Sequence, residues 1–207
     1  MTSEGRKMDF ILASKSPRRK EILQNLGIKF DVVTSGANES YDESLSPSEV
    51  VEYLSRIKGE AVRDALEKEG KDLKNTIIIS ADTVVCASGE ILGKPKDDAD
   101  AERMLRMLSG TNHSVLSGIT LICGGKTVSA SEEAKVKFAS LSEGDVKRYV
   151  ETGEPRDKAG AYAIQGYASL FVESICGTQT CVIGLPVALL RRMLENSFGI
   201  SILDYIK

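Results

Sequence analysis

The chain has 207 residues, 42% hydrophobic and 28% charged, and its 27 Lys and Arg against 30 Asp and Glu leave a formal net charge of −3. That size suits one ordinary domain, or two small lobes sharing a core, and the composition excludes a disordered chain, a collagen and a disulfide mini-protein. Six Tyr, five Phe and no Trp imply an aliphatic core, and the mild acidic excess argues against a dedicated duplex-DNA binder.

In chain order, residues 9–14 (DFILAS) read as a short buried strand. Ser16-Pro17 opens a helix, with Ser as N-cap and Pro at the first helical position. Ile22, Leu23 and Leu26 form its apolar stripe and Gly27 stops it. A second strand is expected over 29–34, then a polar loop over 35–46 with Glu39, Asp42 and Glu43. Ser46-Pro47-Ser48-Glu49 has the form of a capping box and starts a helix running to about 69, with a stripe of Val51, Leu54, Ala61, Val62 and Ala65. TIIISADTVVC at 76–86 is the strongest strand signal. A helix over 98–109 ends at Gly110, and strands over 113–122 and 127–139 are joined through Gly124-Gly125-Lys126 as a hairpin. Ser142 to Asp145 is a weaker cap for a helix to about 152, followed by Gly153. A polar, Gly-containing loop over 154–168, a strand near 169–175 and a helix opened by Pro186 complete an alternation that reads as α/β.

No apolar run reaches the roughly 18 residues of a bilayer span, and the opening MTSEGRKMD lacks the apolar core of a signal peptide. Cys86, Cys123, Cys176 and Cys181 form no C-x-x-C pair, and the lone His113 completes no Cys/His zinc cluster. The cysteines read as reduced, mostly buried thiols of a cytoplasmic protein, and His113 as a structural hydrogen-bonder. With one histidine in the chain, carboxylates, lysines and arginines must carry any chemistry.

Several residues are awkward where they stand. Arg18 and Arg19 put cations in the first turn of a helix, the wrong sign for its dipole; they are either solvated or flank a bound anion. Asp82 interrupts the strongest β run and needs a cation, a metal or a donor unless it marks a strand end. Lys58 lies on or beside an apolar stripe, by its spacing from Leu54 and Val62, and either snorkels or meets a partner. Lys94 follows a strand in a Gly-Lys-Pro turn, where a lysine is normally just exposed. The run Gly153 to Gly160 alternates charges between two glycines, as a solvated loop or a ligand-facing one. Neither a Walker A loop nor a dinucleotide fingerprint is present. Cations and isolated carboxylates near strand ends and loops suit a Mg²⁺–phosphate substrate.

Five segments in order resemble the Maf family of nucleoside triphosphate pyrophosphatases: LASKSPRRKEIL at 12–23, ISADTVV at 79–85, ILGKPKDDADAERMLRMLSGTNHSV at 91–115, YVETGEPRDKAGAYAIQGYASLF at 149–171 and VIGLPV at 182–187. The resemblance implies an α/β fold like that of Maf and ITPase proteins. In it a mixed twisted sheet is flanked by helices, with two lobes around a central cleft, as one domain over 9–207 after a short polar extension at 1–8. It implies hydrolysis of a nucleoside triphosphate to the monophosphate and pyrophosphate with Mg²⁺ or Mn²⁺. It places Ser14, Arg18 and Arg19 on the phosphates and Lys58 and Lys94 as cations facing them. Glu39 and Asp82 become the acidic groups serving metal and water, with Asp82 as general base. Arg18, Thr83, Asp157-Lys158 and Gln165 match the branch associated with dTTP and UTP rather than with 7-methyl-GTP. Gln165 either pairs with the edge of a pyrimidine or only braces its loop as a buried amide. Ala163 and Ala168 stand where the family usually has Gly, Gln179-Thr180-Cys181 replaces a Tyr and Asn neighbourhood, and Gly59 replaces the usual Ala, which weakens a helix by roughly 1 kcal/mol. The competing readings are a regulatory nucleotide-binding protein of cell division and septum formation, a 7-methyl-GTP pyrophosphatase, and a nucleic-acid binder, for which no aromatic platform or basic stripe exists. A homodimer is common in the family, and neither nucleic acid nor membrane is expected as a partner.

Overall fold

A computed structural model describes residues 8–34 and 36–206. Of the expected extension only Met8 is described, and it is buried; residues 1–7 lie outside the described residues. The secondary structure runs β1 (Asp9–Leu12), α1 (Pro17–Asn25), β2 (Asp31–Val32), α2 (Pro47–Lys68), β3 (Thr76–Ala87), β4 (Glu90–Leu92), α3 (Asp98–Leu108), β5 (Asn112–Cys123), β6 (Lys126–Phe138), α4 (Glu143–Glu151), β7 (Val172–Cys176), α5 (Gln179–Ile183) and α6 (Val187–Phe198). The seven strands form one mixed sheet in the order β2-β1-β3-β5-β6-β7, with β4 paired to β3. β1 is parallel to both β2 and β3, whereas β4 and β7 pair antiparallel to β3 and β6. The α/β reading of the sequence therefore holds. The chain divides into two compact units: one comprises residues through Asp82, Gly118–Ser131 and Val187 onward, the other Thr83–Ser117 and Glu132–Pro186.

In the first unit α2 is the organising helix. Its capping box is complete: the Ser46 hydroxyl accepts from the Glu49 N–H at 3.4 Å and the Glu49 carboxylate accepts from the Ser46 N–H at 2.9 Å. Val50, Val51, Leu54, Ser55, Gly59, Val62 and Leu66 form the buried stripe, while Ala65, expected in it, is exposed. Val62 and Leu66 of that stripe pack with Ile11, Ala13, Ile78 and Ile122. Part of this contact is polar and very close. The Ser55 and Thr120 hydroxyls are 2.8 Å apart, and the Ser80 hydroxyl donates to the Ser55 carbonyl at 2.7 Å. A Cβ on Gly59 would lie 2.6 Å from the Ser80 oxygen. The helix propensity lost at Gly59 is thus exchanged for close approach of α2 to β3.

Gly118 is tighter still, because a Cβ there would sit 2.4 Å from the Val51 carbonyl oxygen, which belongs to the backbone and cannot rotate away. Gly118→Ala should therefore push α2 outward and lower Tm by about 3–10 °C. Gly93→Ala, where nothing lies within 4 Å, should move it by no more than about 2 °C. Thermal unfolding of the pair by circular dichroism checks this; equal shifts would remove Gly118 from the packing argument.

In the second unit the last residues of β3 turn through Ser88-Gly89, at φ 50° and 81°, into β4, a hairpin that the sequence reading did not separate. Val85, Leu92, Leu105, Leu108, Phe138 and Tyr149 belong to its core. α3 is capped by the Asp97 side chain, which accepts from the Asp100 N–H at 2.8 Å. The cap of α4, expected to be weak, is a complete box with both Ser142 and Asp145 bonds formed. The expected loop over 154–168 is instead wound into short 3₁₀ turns at Glu154–Asp157 and Ala159–Ala161 before a third at Tyr167–Phe171, and α5, not foreseen, precedes Pro186. All four cysteines are free, but only Cys181 is buried; Cys86 and Cys123 are half-buried and Cys176 is exposed, against the expectation of mostly buried thiols.

His113 is buried, as its structural reading required. Its Nε2 lies 2.9 Å from the Tyr162 hydroxyl, Nδ1 has no partner, and the Phe138 and Tyr162 rings stand edge-on to it. Burial lowers its pKa to about 4. In the unfolded chain the imidazole titrates near its ordinary value of about 6.5. Below that pH the unfolded state takes up a proton that the native state refuses. The stability present above about pH 6.5 should therefore fall progressively as pH drops toward 4, by up to about 3 kcal/mol. Urea titrations at pH 7.5 and 5, on the wild type and His113→Gln, check this; an equal pH slope in both would exclude His113 as its source.

Candidate active site

The first unit gathers six of the residues singled out from the sequence. β1 ends at Leu12, and the chain then reaches α1 through Ser14 and Ser16. Ser16 has the extended backbone of an N-cap, but its hydroxyl makes no capping bond; its N–H donates to the Ser14 hydroxyl at 3.2 Å, which also accepts from Arg19 Nη1 at 3.3 Å. Arg19 is half-buried. Burial lowers its pKa below the ordinary value, while Asp82 and Glu39 act to raise it and Arg18 to lower it further. Two guanidiniums at an acid-free helix start, one of them desolvated, make a strongly electropositive corner suited to phosphate oxygens.

Asp82 lies inside β3 rather than at a strand end, and it is 9% exposed. Its Oδ1 is 2.5 Å from Lys58 Nζ, and the same ammonium is 2.8 Å from Glu39 Oε2. Lys58 is therefore a bridge between two carboxylates, one buried in a strand and one on an exposed loop, and not a snorkelling lysine. It reaches Asp82 because Gly59, its neighbour on α2, lets the helix close on β3. A buried strand carboxylate next to a loop carboxylate can take a proton from water and can also hold a cation. Among the described residues no three His, Cys, Asp or Glu side chains converge as a metal cage. The donors present are two carboxylates, hard oxygen ligands. Mg²⁺ commonly takes one or two such carboxylates, with phosphate oxygens and waters supplying the rest. Glu39 and Asp82 fit a Mg²⁺ or Mn²⁺ brought in with a polyphosphate.

The second unit holds the other five. Thr83 Oγ1 lies 2.8 Å from the Ser117 hydroxyl, and Ser117 donates to the Cys181 carbonyl at 2.8 Å. With the Ser117 proton given to that carbonyl, Thr83 is the donor of the pair. Lys94 is exposed just beyond β4. Lys158 pairs with its neighbour Asp157 between the first two 3₁₀ turns. Gln165 is exposed in a turn closed by the Gly166 N–H on the Ala163 carbonyl at 3.0 Å, so it is not a buried amide bracing its loop. Ala163 and Ala168 are both buried. One residue that the sequence reading passed over is Glu154, whose carboxylate takes bonds from the Tyr149 hydroxyl and from the N–H groups of Tyr167 and Ala168. Nothing in its local sequence separated it from the charged residues around it.

Residues 9–197 match the family described as Maf-like protein. Relatives named dTTP/UTP pyrophosphatase include one from Alkaliphilus metalliredigens, 44% identical over 195 residues and spanning 93% of this chain and 98% of the relative. Another, from Symbiobacterium thermophilum, is 46% identical over 192 residues, with coverage of 93% and 95%. A third, from Clostridioides difficile, is 42% identical over 197 residues, with coverage of 94% and 98%. Among solved structures, the Ham1 protein of Staphylococcus aureus matches with a TM-score of 0.50 at 18% identity, covering 91% of this chain and 98% of that one, a likeness of fold alone. With nearly its whole length matched in this way, the chain belongs to the Maf family.

Proposed function

We propose that the protein is a nucleoside triphosphate pyrophosphatase that hydrolyses dTTP and UTP to the nucleoside monophosphate and pyrophosphate, keeping the nucleotide pool clean. The observation that carries the reading is the Glu39–Lys58–Asp82 bridge beside Arg19, in a chain whose relatives bear that activity in their names. Ser14, Arg18 and Arg19 bind the triphosphate, and Lys58 and Lys94 supply further cations to it. Asp82 accepts the proton of the attacking water. The water oxygen bonds to the α-phosphorus, the bond from that phosphorus to the bridging oxygen breaks, and pyrophosphate leaves with that oxygen. Glu39 and Asp82 hold the divalent cation, which when bound neutralises phosphate charge and lowers the pKa of coordinated water. Thr83, Asp157, Lys158 and Gln165 serve the base and sugar end. The same proposal takes residues 9–207 as one functional domain of a cytoplasmic homodimer that has no nucleic-acid or membrane partner. Among the described residues no helix is long and apolar enough to cross a membrane.

Hydrolysis of UTP in ¹⁸O-labelled water, with Mg²⁺ and with chelator, tests the reaction. The label should appear in UMP, unlabelled pyrophosphate should be the co-product, and chelator should abolish both. Label in orthophosphate with UDP as product would place attack at the γ-phosphorus and overturn the reading.

A further inference from the structure

The turn Ala163 to Gly166 carries Gln165, and it is tied down on both sides. On the entry side the Ala163 N–H donates to the Tyr149 hydroxyl at 3.3 Å. On the exit side Glu154 Oε2 accepts from the Tyr167 N–H at 3.0 Å and Oε1 from the Ala168 N–H at 3.3 Å. The two ties are joined, because the Tyr149 hydroxyl donates to Glu154 Oε1 at 2.8 Å. The carboxylate is pressed against the turn itself: a Cβ on Gly166 would lie 2.0 Å from Glu154 Oε2. Burial, with help from the adjoining carboxylate, pushes the Tyr149 phenol well above its ordinary value, so it remains a donor at working pH.

We infer that Glu154 is a positioning residue for nucleobase recognition, holding the turn that presents Gln165. The inference rests on the dTTP/UTP reading above. Gln165 is exposed and sits in a short glycine-containing turn, a segment that would otherwise have to be ordered each time a nucleotide binds, at the expense of affinity. Glu154 removes that requirement by satisfying the backbone donors that follow the turn. Its effect reaches the base through Gln165, and the phosphates are handled by other residues.

The test compares wild type with Glu154→Gln, which keeps the volume but turns one acceptor oxygen into a donor facing donors. The KM for UTP should rise by about 10- to 100-fold with a much smaller change in kcat. The kcat/KM ratio of UTP to 7-methyl-GTP should shrink, while inhibition by inorganic tripolyphosphate stays unchanged. Amide exchange without nucleotide should speed up at Tyr167 and Ala168. A ratio that stays at the wild-type value overturns the inference, and so does unchanged exchange at those two amides. A wild-type enzyme without any preference for UTP overturns the functional reading together with it. Should Glu154→Gln fail to fold, Tyr149→Phe, which removes the phenol from both Glu154 and Ala163, is expected to move the same readouts in the same direction.

Discussion

Asp82→Asn should lower kcat for UTP by about 100- to 10,000-fold while leaving the fold intact. The amide keeps the size of the carboxylate and an oxygen that can still accept from Lys58 Nζ, now 2.5 Å away. What it loses is the negative charge and the ability to take a proton from water, so the effect should fall on turnover and hardly on Tm. Glu39→Ala should also cut turnover by at least about tenfold, again with little effect on Tm, because the Glu39 side chain is 58% exposed and leaves no cavity. Steady-state kinetics at saturating Mg²⁺, with melting curves beside them, separate these outcomes. Near-normal turnover of Asp82→Asn would remove Asp82 from the role of base.

Lys58→Met should damage both activity and stability, and that distinguishes it from Asp82→Asn. The Lys58 side chain is 18% exposed and its ammonium touches two carboxylates, one of which, Asp82, is 13% exposed in its side chain. Removing one partner of such a pair leaves an uncompensated, largely buried charge, which costs about 2–4 kcal/mol. For a chain of this length that corresponds to a fall in Tm of about 5–15 °C. The double variant Lys58→Met/Asp82→Asn should recover most of the lost stability, because no buried charge is then left unpaired, but none of the lost activity. Millimolar Mg²⁺ should raise the Tm of Lys58→Met more than that of the wild type, since a divalent cation can take the place of the ammonium between Glu39 and Asp82. That shift needs no substrate and reads the proposed metal site directly. Equal Tm gains in the two proteins would exclude this pair of carboxylates as the cation site.

The sequence exposed the anomaly at Asp82 but not its resolution. An aspartate inside a β run demands a partner, and the residues around it do not say which. The partner, Lys58, stands 24 positions earlier on a different element. Lys58 had its own signal, a charge beside an apolar stripe, which fits a snorkelling side chain equally well until α2 is placed on β3. Gly59 shows the same limit from the other direction. Its effect on helix propensity is local and readable, whereas its reason, the Ser80 hydroxyl 2.6 Å from where a Cβ would be, exists only once the two elements meet. Glu154 gave no signal at all, since its three donors come from α4 and from the end of a turn more than ten residues onward. Cysteine burial is illegible for a related reason: a small hydrophobe is usually inside, but Cys176 lies on β7 at the end of the sheet order and is exposed, which depends on what covers that face and not on the residue type.

By itself the sequence determined the α/β alternation, the start of α2 at its capping box, the glycine-linked pair β5 and β6, and which charged residues, Asp82 and Lys58 among them, stand awkwardly in their local pattern. Each of these depends on periodicity or on hydrogen bonds that close within four residues, and such interactions are complete in any short stretch of chain. Only the tertiary structure decided which charges face one another, that one lysine bridges Glu39 and Asp82, and that the turn bearing Gln165 is held by Glu154. Those pairings join residues far apart in the chain, and their energies depend on distance and burial, quantities that do not exist until the elements have packed.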